Sequence, residues 1–102
     1  MLQSLRRKRQ PIPAPAVRIS VRGGYHPDTV YARVGEPLRL IFRREETAAC
    51  SERVVFADFG KSAMLPADQD VAIELRPEHA GVYEFTCQMG MLHGRLIVEE
   101  RR

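Results

Sequence analysis

The sequence predicts an all-β domain, a β-sandwich of about seven short strands. Three observations carry that expectation. Apolar and polar residues alternate with a period of two in most segments, as they do along a half-buried strand. Turn-forming clusters, Gly23-Gly24, Gly35-Glu36-Pro37 and Pro77-Glu78-His79-Ala80-Gly81, separate those segments. No segment carries a convincing helical pattern.

Taken in order, the chain opens with the basic run Arg6-Arg7-Lys8-Arg9, followed by Gln10-Pro11-Ile12-Pro13-Ala14-Pro15. Proline at that density gives an extended linker. The expected division is therefore a basic, Pro-rich flexible tail over residues 1–15 and one folded domain over residues 16–102. Val17, Ile19 and Val21 alternate with polar residues as a first strand, and residues 30–34 form a second, ended by Gly35-Glu36-Pro37. Leu38, Leu40 and Phe42 alternate with Arg39, Ile41 and Arg43, which predicts a half-buried strand. Residues 53–56 are a short β-branched run. Val71, Ile73 and Leu75 alternate with Ala72, Glu74 and Arg76, and residues 82–87 and 95–99 are the last two strands. Residues 62–70 suit a loop or a short helix. No internal repeat is present.

At 102 residues, 44% apolar and 28% charged, the chain is the size of one domain with a single core. No stretch of about 20 residues is apolar enough to span a bilayer. The formal charge of +3 comes from the ends. Without Arg6, Arg7, Lys8, Arg9, Arg101 and Arg102 the domain is near neutrality or slightly acidic. Three Tyr, four Phe and no Trp, without aromatics interleaved among basic residues, supply no base-stacking platform, so no nucleic-acid partner is expected. The amino end has the positive region of a signal peptide without its apolar segment. A cytoplasmic location and reduced thiols are therefore expected, with a structural disulfide as the alternative. A basic run and Pro-rich spacer also suit the cytoplasmic side of a membrane helix, so membrane association is expected only if an anchor precedes this sequence.

The chemistry lies in the sulfur atoms. Residues 87–91 read Cys87-Gln88-Met89-Gly90-Met91, and Cys50 is the only other cysteine. Along the strand before it, Tyr83, Phe85 and Cys87 share one face and Glu84 and Thr86 the other, so Cys87 points inward at the strand's end. Gly90 permits a tight turn, from which Cys87, Met89 and Met91 can converge on one point. Cys50 lies in a loop between strands, and loops at one end of a sandwich meet in space. Two thiolates and two thioethers are soft donors that select Cu(I), and zinc would prefer Cys and His. The predicted ligands are Cys50, Cys87, Met89 and Met91, binding one or two Cu(I) ions. Singly, each of these residues also suits a structural role, since free Cys and Met fill cores.

These motifs look familiar. Residues 81–87, then a methionine and Gly94-Arg95-Leu96-Ile97-Val98, resemble the carboxy-terminal copper-binding end of cupredoxins. Cys50-Ser51-Glu52-Arg53-Val54-Val55-Phe56 resembles the segment where plastocyanin-like proteins carry their first histidine ligand. The likeness runs from about residue 17 to 99 and implies a Greek-key β-sandwich. Blue copper sites use two His, one Cys and a weak axial Met. Here Cys50 occupies the place of the first histidine, Met89 stands roughly at the second, and Met91 matches the axial methionine. That exchange favours Cu(I) and hinders cycling to Cu(II). More specifically, the chain resembles the CupA-like Cu(I)-binding cupredoxin domain of bacterial copper resistance. That resemblance implies a thiolate-bridged binuclear Cu(I) centre and a copper chaperone that delivers its ion to a copper-exporting P-type ATPase or another copper carrier. The alternative is an electron-transfer protein with a blue or binuclear copper centre, and a third reading is a metal-free interaction domain.

His93 could reach the site or sit in solvent at the strand entrance, His26 lies in a loop, and His79 falls at the opposite strand end. Glu45, Glu46 and Glu52 suit a solvated rim that could help steer a cation. No Gly-x-Ser-x-Gly, phosphate-cradling loop or His-Glu-x-x-His is present, and Cys87 with His93 lacks a third orienting group, so no enzymatic activity is expected.

Overall fold

The computed structural model describes residues 16–100, and the expected tail at residues 1–15 lies outside them. Nine strands form among the described residues: β1 (Ala16–Val21), β2 (Tyr25–His26), β3 (Thr29–Arg33), β4 (Leu38–Arg44), β5 (Arg53–Phe56), β6 (Lys61–Met64), β7 (Asp70–Leu75), β8 (Gly81–Cys87) and β9 (His93–Glu99). Single 3-10 turns at Ala49–Ser51 and Ala57–Phe59 flank β5.

The strands build two facing sheets, one in the order β2-β1-β4-β7 and the other in the order β3-β9-β8-β5-β6. Hairpins join β1 to β2, β5 to β6 and β8 to β9, and the remaining connections cross between the sheets. Those crossings leave β1 parallel to β4 and β3 parallel to β9, whereas the other pairings are antiparallel.

The sequence anticipates seven strands, and the two additions have a common explanation. β2 is only two residues long, too short to show alternation. β6 runs along the edge of its sheet with Lys61, Ser62 and Met64 exposed, so an apolar period never appears in its sequence. It occupies the start of the stretch expected as loop or helix.

Burial follows the predicted phase elsewhere. Leu38, Leu40 and Phe42 of β4, with Ile73 and Leu75 of β7 beside them, face Phe85 of β8 and Leu96 and Val98 of β9 across one core. At its centre Phe56 stacks on Phe85 with ring centroids 4.9 Å apart, and Phe42 meets both edge-on at 6.1 and 5.9 Å. Such pairs are worth about 0.5–1.5 kcal/mol each beyond the area they bury. Gly94, opposite Phe85 in the β8–β9 ladder, makes room for that ring: a Cβ there would lie 2.2 Å from Phe85 Cζ.

Candidate metal centre

Cys87 closes β8 in the inward phase set by Phe85, and only 1% of it is exposed. β9 starts at His93, so the chain reverses over residues 88–92. The Cys87 N–H donates to the Leu92 carbonyl at 3.2 Å and the Gly90 N–H to the Cys87 carbonyl at 3.0 Å. Gly90 takes φ 74°, a left-handed conformation that glycine adopts without steric cost. This reversal wraps the thiol in amides. Met91 and Leu92 donate their N–H groups to Cys87 Sγ at 3.1 and 3.3 Å. Burial pushes the Cys87 pKa up, but the backbone N–H groups of Leu92, Met91, Met89 and Gly90 favour the thiolate, and the net shift is downward.

Cys50 arrives by another route. Residues 45–52 carry the chain from β4 in one sheet to β5 in the other, and Cys50 sits half-buried in the 3-10 turn Ala49–Ser51. From there β5 runs beside β8 with Val54 opposite Cys87. Tyr25 is buried against Phe42 and Phe85 at centroid distances of 5.9 and 5.0 Å. Its phenol pKa is pushed up, first by burial and then by the charges of Cys87 and Cys50. Because β5 runs antiparallel to β8, its start, just after Cys50, lies at the end of the sandwich where β8 closes at Cys87. Both cysteines are free, and the alternative of a disulfide between them is not formed.

Met89 and Met91 stand differently, 69% and 68% exposed. Convergence with Cys87 by simple alternation would need an extended segment, and residues 88–92 form a turn instead. Among the described residues no three His, Cys, Asp or Glu side chains gather as a metal cluster. The His93 Nδ1 lies 2.9 Å from Glu84 Oε2 on the outer face of its sheet, the face opposite Cys87. His26 Nε2 lies 3.2 Å from the Arg22 carbonyl. His79 is exposed, and its carbonyl accepts the Tyr83 hydroxyl at 2.7 Å.

The family described as "Cupredoxin-like domain" matches residues 1–98. The chain belongs to that family. No curated protein matches this cupredoxin-like domain in sequence. Among solved structures it is similar to a copper-binding protein determined by NMR in the apo form, with 37% identity, 89% of this chain and 93% of that one covered, and a TM-score of 0.81. It is similar also to the metal-binding domain of the Cu(I)-exporting P-type ATPase CopA of Streptococcus pneumoniae D39, solved with Cu(I), at 29% identity, 83% and 85% coverage and a TM-score of 0.81. Amicyanin from Paracoccus versutus shares the fold at 21% identity, 87% and 86% coverage and a TM-score of 0.57.

One charged residue escapes the sequence reading of this cupredoxin-like domain. Arg44, 6% exposed, continues the inward phase of Leu38, Leu40 and Phe42, and its guanidinium lies inside beneath residues 45–52. Carrying the alternation one residue past Arg43 reveals it. Glu46 likewise does more than line a solvated rim. Its Oε1 accepts the Gly23 N–H at 2.6 Å, while Glu45 follows expectation with a looser contact to Arg22 at 3.5 Å.

Proposed function

We propose that this chain binds Cu(I) through Cys50, Cys87, Met89 and Met91, sequesters it, and passes it by ligand exchange to a copper-exporting P-type ATPase or another copper carrier. One observation carries the reading. Two free thiols from distant segments share one end of the sandwich, and one of them is surrounded by amides that favour its thiolate. Similarity to a copper-binding protein and to a Cu(I)-loaded domain of a copper exporter supports copper as the cargo.

The donor chemistry fits Cu(I). Thiolate and thioether are soft ligands, and Cu(I) accepts few of them, so one or two ions suit a set of four sulfurs. The backbone amides around Cys87 favour its thiolate over its thiol, which lowers the proton competition that a binding thiol must overcome. Exposed Met89 and Met91 suit capture and release at the surface: a partner's thiolate can add to the bound ion as one thioether leaves. The copper stays Cu(I) throughout, and each protein thiol that is finally displaced takes up a proton. Such transfer needs no catalytic group, and it suits a reducing compartment such as the cytoplasm.

Anaerobic titration with Cu(I) against a chromogenic chelator tests the proposal. Cys87→Ser and Cys50→Ser should each weaken binding by more than about tenfold, or ~1.4 kcal/mol. Unchanged affinity in Cys87→Ser would overturn it. The electron-transfer alternative needs a stable Cu(II) state, and the pairing of His93 with Glu84 on the outer face disfavours it. Adding Cu(II) in air separates the two, because a persistent intense colour would support redox use.

A further inference from the structure

We infer that Arg44 is the positioning residue for Cys50, holding the 3-10 turn that carries this thiol at a set place relative to Cys87. The inference rests on the copper reading above and assigns a residue outside the sulfur set.

The turn needs such a device. It is three residues long, it bridges two sheets, and the residue before it, Ala48, offers no side-chain cap. Cys50 has no disulfide to fix it. Beneath it Arg44 spreads a planar fork whose three nitrogens each have a partner. Nε donates to Ser51 Oγ at 2.9 Å, Nη2 to the Ala48 carbonyl at 2.9 Å, and Nη1 to the Leu65 carbonyl at 2.9 Å. Ala48 and Ser51 bracket Cys50, so two arms of one rigid group grip the turn on both sides of the thiol. The third arm ties it to the segment after β6, where Leu65 N–H also donates to the Glu52 carbonyl at 2.7 Å. The Arg44 carbonyl in turn accepts the Asp68 N–H at 2.7 Å.

Ser51 extends the grip. It is 1% exposed, and its hydroxyl lies 3.1 Å from the Ala48 carbonyl. That carbonyl already receives the Arg44 Nη2 and the Ser51 N–H, the latter at 3.2 Å. With the Ser51 hydroxyl donating to it as well, three bonds converge on the Ala48 carbonyl. Through Oε1 on Gly23, Glu46 links the crossing at residues 45–52 to the hairpin that supplies Tyr25. A lysine at position 44 would keep the charge but not the fork, since an ammonium cannot reproduce three divergent coplanar bonds.

The test uses the full chain and two measurements. Cu(I) affinity is read by anaerobic chelator competition in the wild type, Arg44→Lys, Cys50→Ser and the double variant. Arg44→Lys should weaken binding about tenfold, in the range typical of residues that orient ligands, and should add nothing once Cys50 is serine. Equal weakening in both backgrounds, or none, overturns the inference. Loss of affinity in Cys50→Ser together with additive behaviour leaves the copper reading standing and removes only Arg44's role. No effect of Cys50→Ser removes both. The second measurement needs no metal: Arg44→Lys should speed amide hydrogen exchange in residues 49–52 and leave the β8–β9 ladder unchanged. Uniform acceleration would mark Arg44 as a general stabiliser and overturn the assignment. Should Arg44→Lys not fold, Ser51→Ala leaves the guanidinium its two carbonyls and is read the same way.

Discussion

At Cys87 burial and hydrogen bonding pull the thiol in opposite directions, and the amides of residues 89–92 prevail. The balance depends on the loop passing close over the sulfur, which in turn depends on where β9 begins. Gly94 secures that start. Its missing Cβ is the space into which the Phe85 ring fits, two residues before Cys87. Gly94→Ala should force the ring out of its stack with Phe56 and cost about 1–3 kcal/mol, as overpacking of a filled core does. Urea denaturation measures it, and an unchanged midpoint would refute the close-contact account. For a domain of this size each kcal/mol corresponds to about 4–8 °C in Tm.

On the scale of elements, the reversal at residues 88–92 separates two kinds of sulfur. Cys87 belongs to the strand and is buried, whereas Met89 and Met91 belong to the turn and are exposed. Leucine matches methionine in bulk but donates nothing to a metal. Replacing both by leucine should leave stability within about ±0.5 kcal/mol, the usual range for surface changes. The same variant should bind Cu(I) more weakly or bind fewer ions. Unaltered titration curves would confine the site to the thiols. Residues 45–52 make the opposite case, a crossing whose polar groups are fastened from below by Arg44 and from the side by Glu46.

For the whole molecule, the outer face of the four-stranded sheet carries a charge clamp. Asp70 at the start of β7 takes Arg18 of β1 at 2.9 Å and Arg43 of β4 at 3.2 Å, fastening three strands. Hydrogen bonds from Arg18 and then Arg43 lower the Asp70 pKa below its ordinary value. A carboxyl depressed in the folded state contributes stability above its unfolded pKa and loses it as pH falls through the folded one. The stability difference between wild type and Asp70→Asn should therefore be full at neutral pH and vanish below the usual carboxylate range. Denaturation at several pH values measures it. Both partners are solvent-exposed, so the difference is small. A gap that persists in acid would assign the effect to something other than charge.

Alternation of side chains along a strand is a property of the local backbone, so the sequence alone determined the sandwich, the inward turn of Phe85 and Cys87, and the outward turn of Glu84. The donor types in Cys87-Gln88-Met89-Gly90-Met91, and the likeness to cupredoxins, were legible in the same way. Arg44 was within reach of that rule, one step beyond the predicted end of its strand. The rest was not local. Residues 50 and 87 stand 37 positions apart, and only the antiparallel pairing of β5 with β8 brings their segments to one end of the sandwich. Whether a methionine shares a cysteine's direction depends on how the chain reverses, and the tertiary structure alone set Met89 and Met91 toward solvent. His93 was undecided until its strand register gave it Glu84 as a partner. Proximity across sheets is fixed by strand order and crossing loops, and no short stretch of residues encodes either.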